Sequence, residues 1–183
     1  MKTLKTTIAI MLMALIGLTT MSCKDGEKEN STSSVKVNSN TQTNTAEQIL
    51  TDYMSLKDAL VATDEKAAAE AGKNLENTLQ DFNVDGYTED EQEELKDIIE
   101  VAAEHAEHIS RSDIDHQREH FEMLSKDITD MVEITGTEKT LYLQFCPMYA
   151  DNGGVWLSME EEIRNPYFGD KMMNCGEVQK EIN

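Results

Sequence analysis

The sequence predicts an all-α fold: an antiparallel up-and-down four-helix bundle with an irregular Cys/Met-rich C-terminal tail packed on it. Three observations predict it. Apolar residues recur at helical spacing in four successive segments. The joints between those segments are short, which favours antiparallel neighbours. Beyond Gly136 the helical period fades.

The chain opens "MKTLKTTIAIMLMALIGLTTMSC". Lys2 and Lys5 form a basic n-region, and Ile8 to Leu18 form an apolar stretch of signal-peptide length, too short to span a bilayer. Ser22 before Cys23 resembles a bacterial lipoprotein box, with Thr20 in place of the usual aliphatic residue. Residues 1–22 are therefore expected to be a signal peptide, with Cys23 lipidated and the protein lipid-anchored in the cell envelope. The anchor fits an outer membrane, with the domain facing either the periplasm or the surface. Residues 23–45 are Ser/Thr/Asn-rich and nearly free of large apolar side chains. Such a segment buries too little surface to offset its ordering entropy, so it reads as a flexible linker. Residues 46–183 form one domain by size.

Within that domain, Ile49, Tyr53, Leu56 and Leu60 share a helical stripe, and Thr45 with Gln48 reads as a capping box. The second segment carries Ala68, Ala71, Leu75, Leu79 and Phe82. The third begins with another box, Thr88 and Glu91, and carries Leu95, Ile98, Ile99, Ala102, Ala106 and Ile109. The fourth starts after Ser112 and carries Phe121, Leu124, Ile128 and Met131. The alanines imply close helix contacts. In the tail, "LYLQF" suits a short strand or an extended segment, "WLSMEEEI" one more short helix, and Asn165-Pro166 a turn.

The chain has 36 acidic and 16 basic residues, a net charge of −20. That excludes nucleic acid and anionic membrane surfaces as electrostatic partners, since phosphate binding needs clustered Lys and Arg. It suits cations, or solubility alone. No Gly-rich phosphate loop and no Gly-x-Ser-x-Gly elbow occurs, so the domain is not expected to be an enzyme.

Three groupings can carry chemistry. The tail gathers Cys146, Met148, Met159, Met172, Met173 and Cys175. Thiolate and thioether are soft ligands that favour Cu(I). The competing reading is a Cys146–Cys175 disulfide stapling a structural or protein-interaction domain, and spacing alone favours it. The second grouping is four histidines in one hairpin. Counted outward from Ser112, His105 is level with His120 and His108 with His116. At 100° per residue, His105 and His120 lie roughly 70–90° from the centres of their apolar stripes, and the other two near 130°. His105 and His120 are thus expected at the core margin and the others in solvent. His116 and His120, at i,i+4, project from one face and can chelate one ion. The third is "DFNVDGYTEDEQ", in which Asp81, Asn83, Asp85 and Gly86 fit positions 1, 3, 5 and 6 of a calcium-binding loop. Position 12 is Gln92 where a bidentate glutamate belongs, and a helix-ending turn at Asp85-Gly86 competes with it.

The stretch "YLQFCPMYADNGGVWLSMEEEIRNPYFGDKMMNCGEV" resembles the closing signature of a bacterial family catalogued as domain of unknown function 3347. Its pattern is met by Cys146-Pro147-Met148, Trp156-Leu157-Ser158, Asn165 to Gly169, Met172 and Cys175-Gly176. "DIDHQREHFEMLS" and "YMSLKDALVATD" resemble its central and first helices, so the resemblance runs from about Ile49 to Val178. It implies a periplasmic or lipid-anchored domain of Bacteroidota, similar to modules fused to adaptor subunits of copper and silver efflux pumps. Carried over, the metal-binding residues are His116, His120, Cys146, Met148, Met172 and Cys175, for Cu(I) or Ag(I). The tail would fold back on the hairpin, bringing its sulfurs within reach of His120. The expected role is buffering or hand-off to an efflux adaptor or metallochaperone. Trp156, Asn165, Tyr167 and Gly169 fit structural roles. The calcium loop lies outside the pattern.

Overall fold

The computed structural model describes residues 39–183, with side chains from residue 45. The signal peptide, Cys23 and residues 24–38 lie outside the described residues. Four helices follow in order: α1 Ser39–Val61, α2 Glu65–Gln80, α3 Glu89–Arg111 and α4 Ile114–Thr135. Helix α1 passes through Thr45, so the expected capping box there does not exist, and the last part of the segment read as a linker is helical. The other starts are capped as short polar side chains dictate. The Asp64 carboxylate accepts from Ala67 N at 3.0 Å, and Thr88 and Glu91 form a reciprocal box. Asp113 accepts from His116 N at 3.1 Å. Helix α4 starts after Ser112 as expected, with Ser112 closing α3 and Asp113 capping α4. Helix α4 stops at Gly136, whose φ of 69° is the left-handed conformation that favours glycine.

Each helix packs on the next, α1 on α2, α2 on α3 and α3 on α4. Small side chains let α2 and α3 approach closely. A Cβ on Gly72 would come within 2.8 Å of Ile109 Cγ2, and Ala68, Ala102 and Ala106 are fully buried. The core joins Tyr53, Leu56 and Leu60 of α1 to Phe121, Leu124 and Ile128 of α4, with Tyr53 and Phe121 stacked at 5.3 Å.

The domain is not purely helical. Beyond α4 the chain forms an antiparallel sheet, β1 Leu141–Cys146, β2 Gly154–Ser158 and β3 Glu177–Ile182, in the order β2-β1-β3. β1 pairs with β2 at Gln144↔Trp156 and with β3 at Leu141↔Ile182, with an irregularity at Leu143/Gln144. "LYLQF" is thus a strand, and the tail expected to be irregular is ordered by it. The short helix expected at Trp156–Ile163 does not form. Trp156 to Ser158 pair with β1. The Gln144 amide then takes the carbonyls of Glu160, Glu161 and Glu162 at 2.9, 3.2 and 3.4 Å. Pro166 could not have donated to a continuing helix.

The sheet docks on the bundle through β2 and α4. The Tyr53 hydroxyl bonds Ser125 at 2.7 Å and accepts from Leu157 N at 3.1 Å. Trp156 is fully buried. Asn165 shapes its turn by accepting from Tyr167 N at 2.8 Å and donating to the Cys175 carbonyl at 2.7 Å. Arg118, 5% exposed, donates to Pro166 O at 3.0 Å, Leu60 O at 3.3 Å and Thr63 Oγ1 at 3.0 Å. It therefore clamps the Asn-Pro turn to the α1–α2 joint. Among the described residues no helix is long and apolar enough to cross a membrane.

Candidate metal centre

The α3–α4 joint is two residues long, and one buried side chain fixes it. Gln117, fully buried, donates to Glu65 O, Ile109 O and Ser112 O at 3.0, 3.1 and 3.1 Å. The start of α2, the end of α3 and the start of α4 are thereby held in one register. That register brings the histidines of α3 and α4 together.

His120 is the hub. Its Nδ1 lies 3.0 Å from His105 Nδ1, and its Nε2 lies 3.2 Å from His116 Nε2. The His108 ring stacks on it, 4.4 Å between centroids and 12° from parallel. One donor nitrogen from each of His108, His116 and His120 lies within 4.8 Å of the other two. The expected level pairing holds for His105 and His120. His108 departs from it, since its ring is 6.3 Å from His116 and nearer to His120. His108 was therefore missed as a ligand candidate. Its i,i+3 relation to His105, which puts both on neighbouring faces of α3, is the signal that points to it.

Carboxylates stand behind the rings. Glu119 Oε2 is 2.7 Å from His116 Nδ1. A proton held there leaves His116 Nε2 bare for an ion, the usual outer-shell arrangement of a histidine ligand. Glu104 lies 4.0 Å from His108 Nε2. Asp127 Oδ2 lies 3.8 Å from His105 Nε2 and has no hydrogen-bond partner. That spacing falls within ion-pair range, yet both groups are pushed toward neutrality. Burial drives His105 down from its ordinary pKa, and burial with the neighbouring Asp130 drives Asp127 up to about 6. Desolvation outweighs the attraction here. His120 is pushed down to about 4, first by desolvation and then by the surrounding histidines. At neutral pH it keeps a free lone pair, as a ligand must.

The tail residues form a different grouping. Cys146, fully buried in β1, and Cys175, partly exposed, are free thiols with Sγ atoms 3.1 Å apart. The Cys175 thiol is raised in pKa, first by its hydrogen bond to Cys146. Met148 is 62% exposed. The Met172 carbonyl accepts from Cys175 N at 3.0 Å. Neither cysteine joins the histidine group. β1 turns Cys146 into the core beside Trp156, so the sulfurs meet each other instead of His120.

The loop read as a possible calcium site is closed on itself. Asp81 caps the C-terminus of α2, and Asn83 Oδ1 accepts from Asp85 N at 2.8 Å. Gln92 donates to the Tyr87 carbonyl at 2.8 Å. That is the backbone oxygen a calcium loop turns toward its ion.

The geometry defines a helical domain with a small C-terminal sheet and a cluster of histidine donors at one helical hairpin. Residues 49–140 match the family described as "Protein of unknown function (DUF3347)", and the chain belongs to that family. The matched span holds all four histidines and ends before β1, so the Cys146–Cys175 tail lies beyond it. No curated protein and no solved structure matches the chain.

Proposed function

We propose that this domain binds one transition-metal ion through His108, His116 and His120, without catalysing a reaction. The observation that carries the reading is the 3.2 Å spacing of His116 Nε2 and His120 Nε2. Nitrogens bound about 2.0–2.1 Å from a tetrahedral ion lie about 3.3 Å from one another. His108 completes three donors, and an exchangeable fourth position stays open to solvent. The His108 and His116 side chains are 46% and 48% exposed, so an ion can enter and leave without unfolding. That suits buffering and hand-off better than permanent structural binding.

Imidazole serves copper and zinc, whereas sulfur donors favour Cu(I). Copper is common to both donor sets, and the reading commits to it, with Ag(I) as its soft analogue. The lipoprotein-type N-terminus, with Cys23 as the anchor, supports a site of action in the cell envelope. An efflux-pump adaptor or a metallochaperone is the fitting partner. Competitive titration with a chromogenic chelator tests the site. Replacing His116 or His120 with Ala should weaken copper binding by about 100-fold with the helical content unchanged. Equal affinity in both variants would remove the site.

One observation favours a second reading. The 3.1 Å approach of Cys146 and Cys175, with Met172 in the same turn and Met148 exposed, offers a soft site of its own for Cu(I) or Ag(I). Loss of binding on replacing Cys146 or Cys175, with the histidine variants unaffected, would favour that reading. No binding by any form would favour the non-metal structural or interaction domain.

A further inference from the structure

The histidine cluster makes no use of Cys146 and Cys175. Their sulfurs are 3.1 Å apart, and a disulfide needs about 2.05 Å. About an ångström of approach, within the play of two side chains, joins them. The two thiols differ in access. Cys146 is fully buried in the core. Cys175 is partly exposed in the turn before β3. Backbone bonds hold that turn, with Cys175 N on Met172 O at 3.0 Å and Asn165 Nδ2 on Cys175 O at 2.7 Å. Cys175 is thus presented to solvent from a fixed position directly over Cys146.

We propose that Cys146 and Cys175 form a reversible disulfide made in a fixed order, Cys175 meeting the oxidant and Cys146 resolving it. The oxidant is a small-molecule disulfide. The Cys175 thiolate attacks one of its sulfurs, a Cys175 mixed disulfide forms, and one thiolate leaves. The Cys146 thiolate then attacks Cys175 Sγ, the Cys146–Cys175 bond forms, and the second thiolate leaves. Two protein thiols have lost two electrons and two protons, and one oxidant disulfide has become two thiols. The product ties the end of β1 to the entry of β3 around the Asn165–Gly169 turn. It removes both sulfurs as metal donors and leaves the histidine cluster unchanged.

The experiment uses the full chain carrying Cys23→Ser, reduced, then exposed to oxidised glutathione, quenched with acid and read by intact mass and peptide mapping. The unaltered pair should lose two hydrogens, and early quenches should carry glutathione on Cys175 and none on Cys146. Cys146→Ala should stall with one glutathione attached. Cys175→Ala should react about tenfold more slowly or not at all, because access limits exchange. A pair that stays reduced, or glutathione on Cys146 as readily as on Cys175, would overturn the proposal. The early quench needs no core substitution, so misfolding of Cys146→Ala leaves the test intact.

Discussion

At the residue scale, His120 has neighbours at each ring nitrogen, His105 at Nδ1 and His116 at Nε2. His105 is only 15% exposed at its side chain and lies outside the donor triad. On the proposed reading it is a positioning residue, holding the His120 ring through Nδ1 so that Nε2 faces His116. Replacing His105 with Leu should weaken copper binding by about 10–100-fold. NMR of the ring nitrogens should then show His120 sampling both tautomers. Unchanged affinity with a fixed His120 tautomer would mean that His105 only fills space.

Asp127 gives a pH test at the same scale. Its folded pKa is raised to about 6 from an ordinary value of 3.8, chiefly by burial. The folded state therefore holds this proton more tightly than the unfolded state does. Above about pH 6 the ionised carboxylate costs stability, and the cost is relieved as pH falls from about 6 to 4. Asp127→Asn should raise stability at pH 8 by an amount on the order of 1–3 kcal/mol. The gain should vanish near pH 4 in urea unfolding. His120 acts in the opposite sense. Its depressed pKa costs stability as pH falls from about 6.5 to 4, because the unfolded ring takes the proton first.

At the scale of elements, the clamp made by Arg118 carries the junction between bundle and tail. Its three acceptors lie on the Pro166 turn, the end of α1 and the α1–α2 joint. Arg118→Ala leaves buried carbonyls without donors and should cost about 2–4 kcal/mol in denaturant unfolding. Gly169 closes the same junction. Its φ is 52°, and a Cβ there would meet Thr63 Oγ1 and Val61 O. The helices were legible because their apolar stripes and caps are local signals. Thr88 with Glu91 works as the sequence suggests. The sheet was legible only at β1, a short apolar and aromatic run of strand length. β2 begins at Gly154, just after Gly153, and leads into an acidic run that reads as helical, and only pairing with β1 makes it a strand. β3 is largely exposed and offers no apolar pattern to read.

At the scale of the whole molecule, the net charge of −20 suits a domain that gathers cations, and on the proposed reading selectivity rests on a few nitrogens at one hairpin. The sequence located His116 and His120 correctly on one helix face, because i,i+4 spacing is a local fact. It did not reveal that His108 stacks on His120, which depends on the register that Gln117 imposes between α2, α3 and α4. The competing disulfide reading did pair Cys146 with Cys175, and the two sulfurs do meet. The convergence of the sulfurs on His120 does not occur, because two strand pairings fold the tail on itself. The family match covers the histidine hairpin and stops before those strands.

The most direct test of the central claim is copper-edge X-ray absorption on the copper-loaded full chain carrying Cys23→Ser. The expected spectrum is a nitrogen shell at about 2.0 Å with the outer-shell scattering of imidazole rings and no sulfur. A dominant sulfur shell at about 2.3 Å would contradict it and move the ion to Cys146, Met148, Met172 and Cys175.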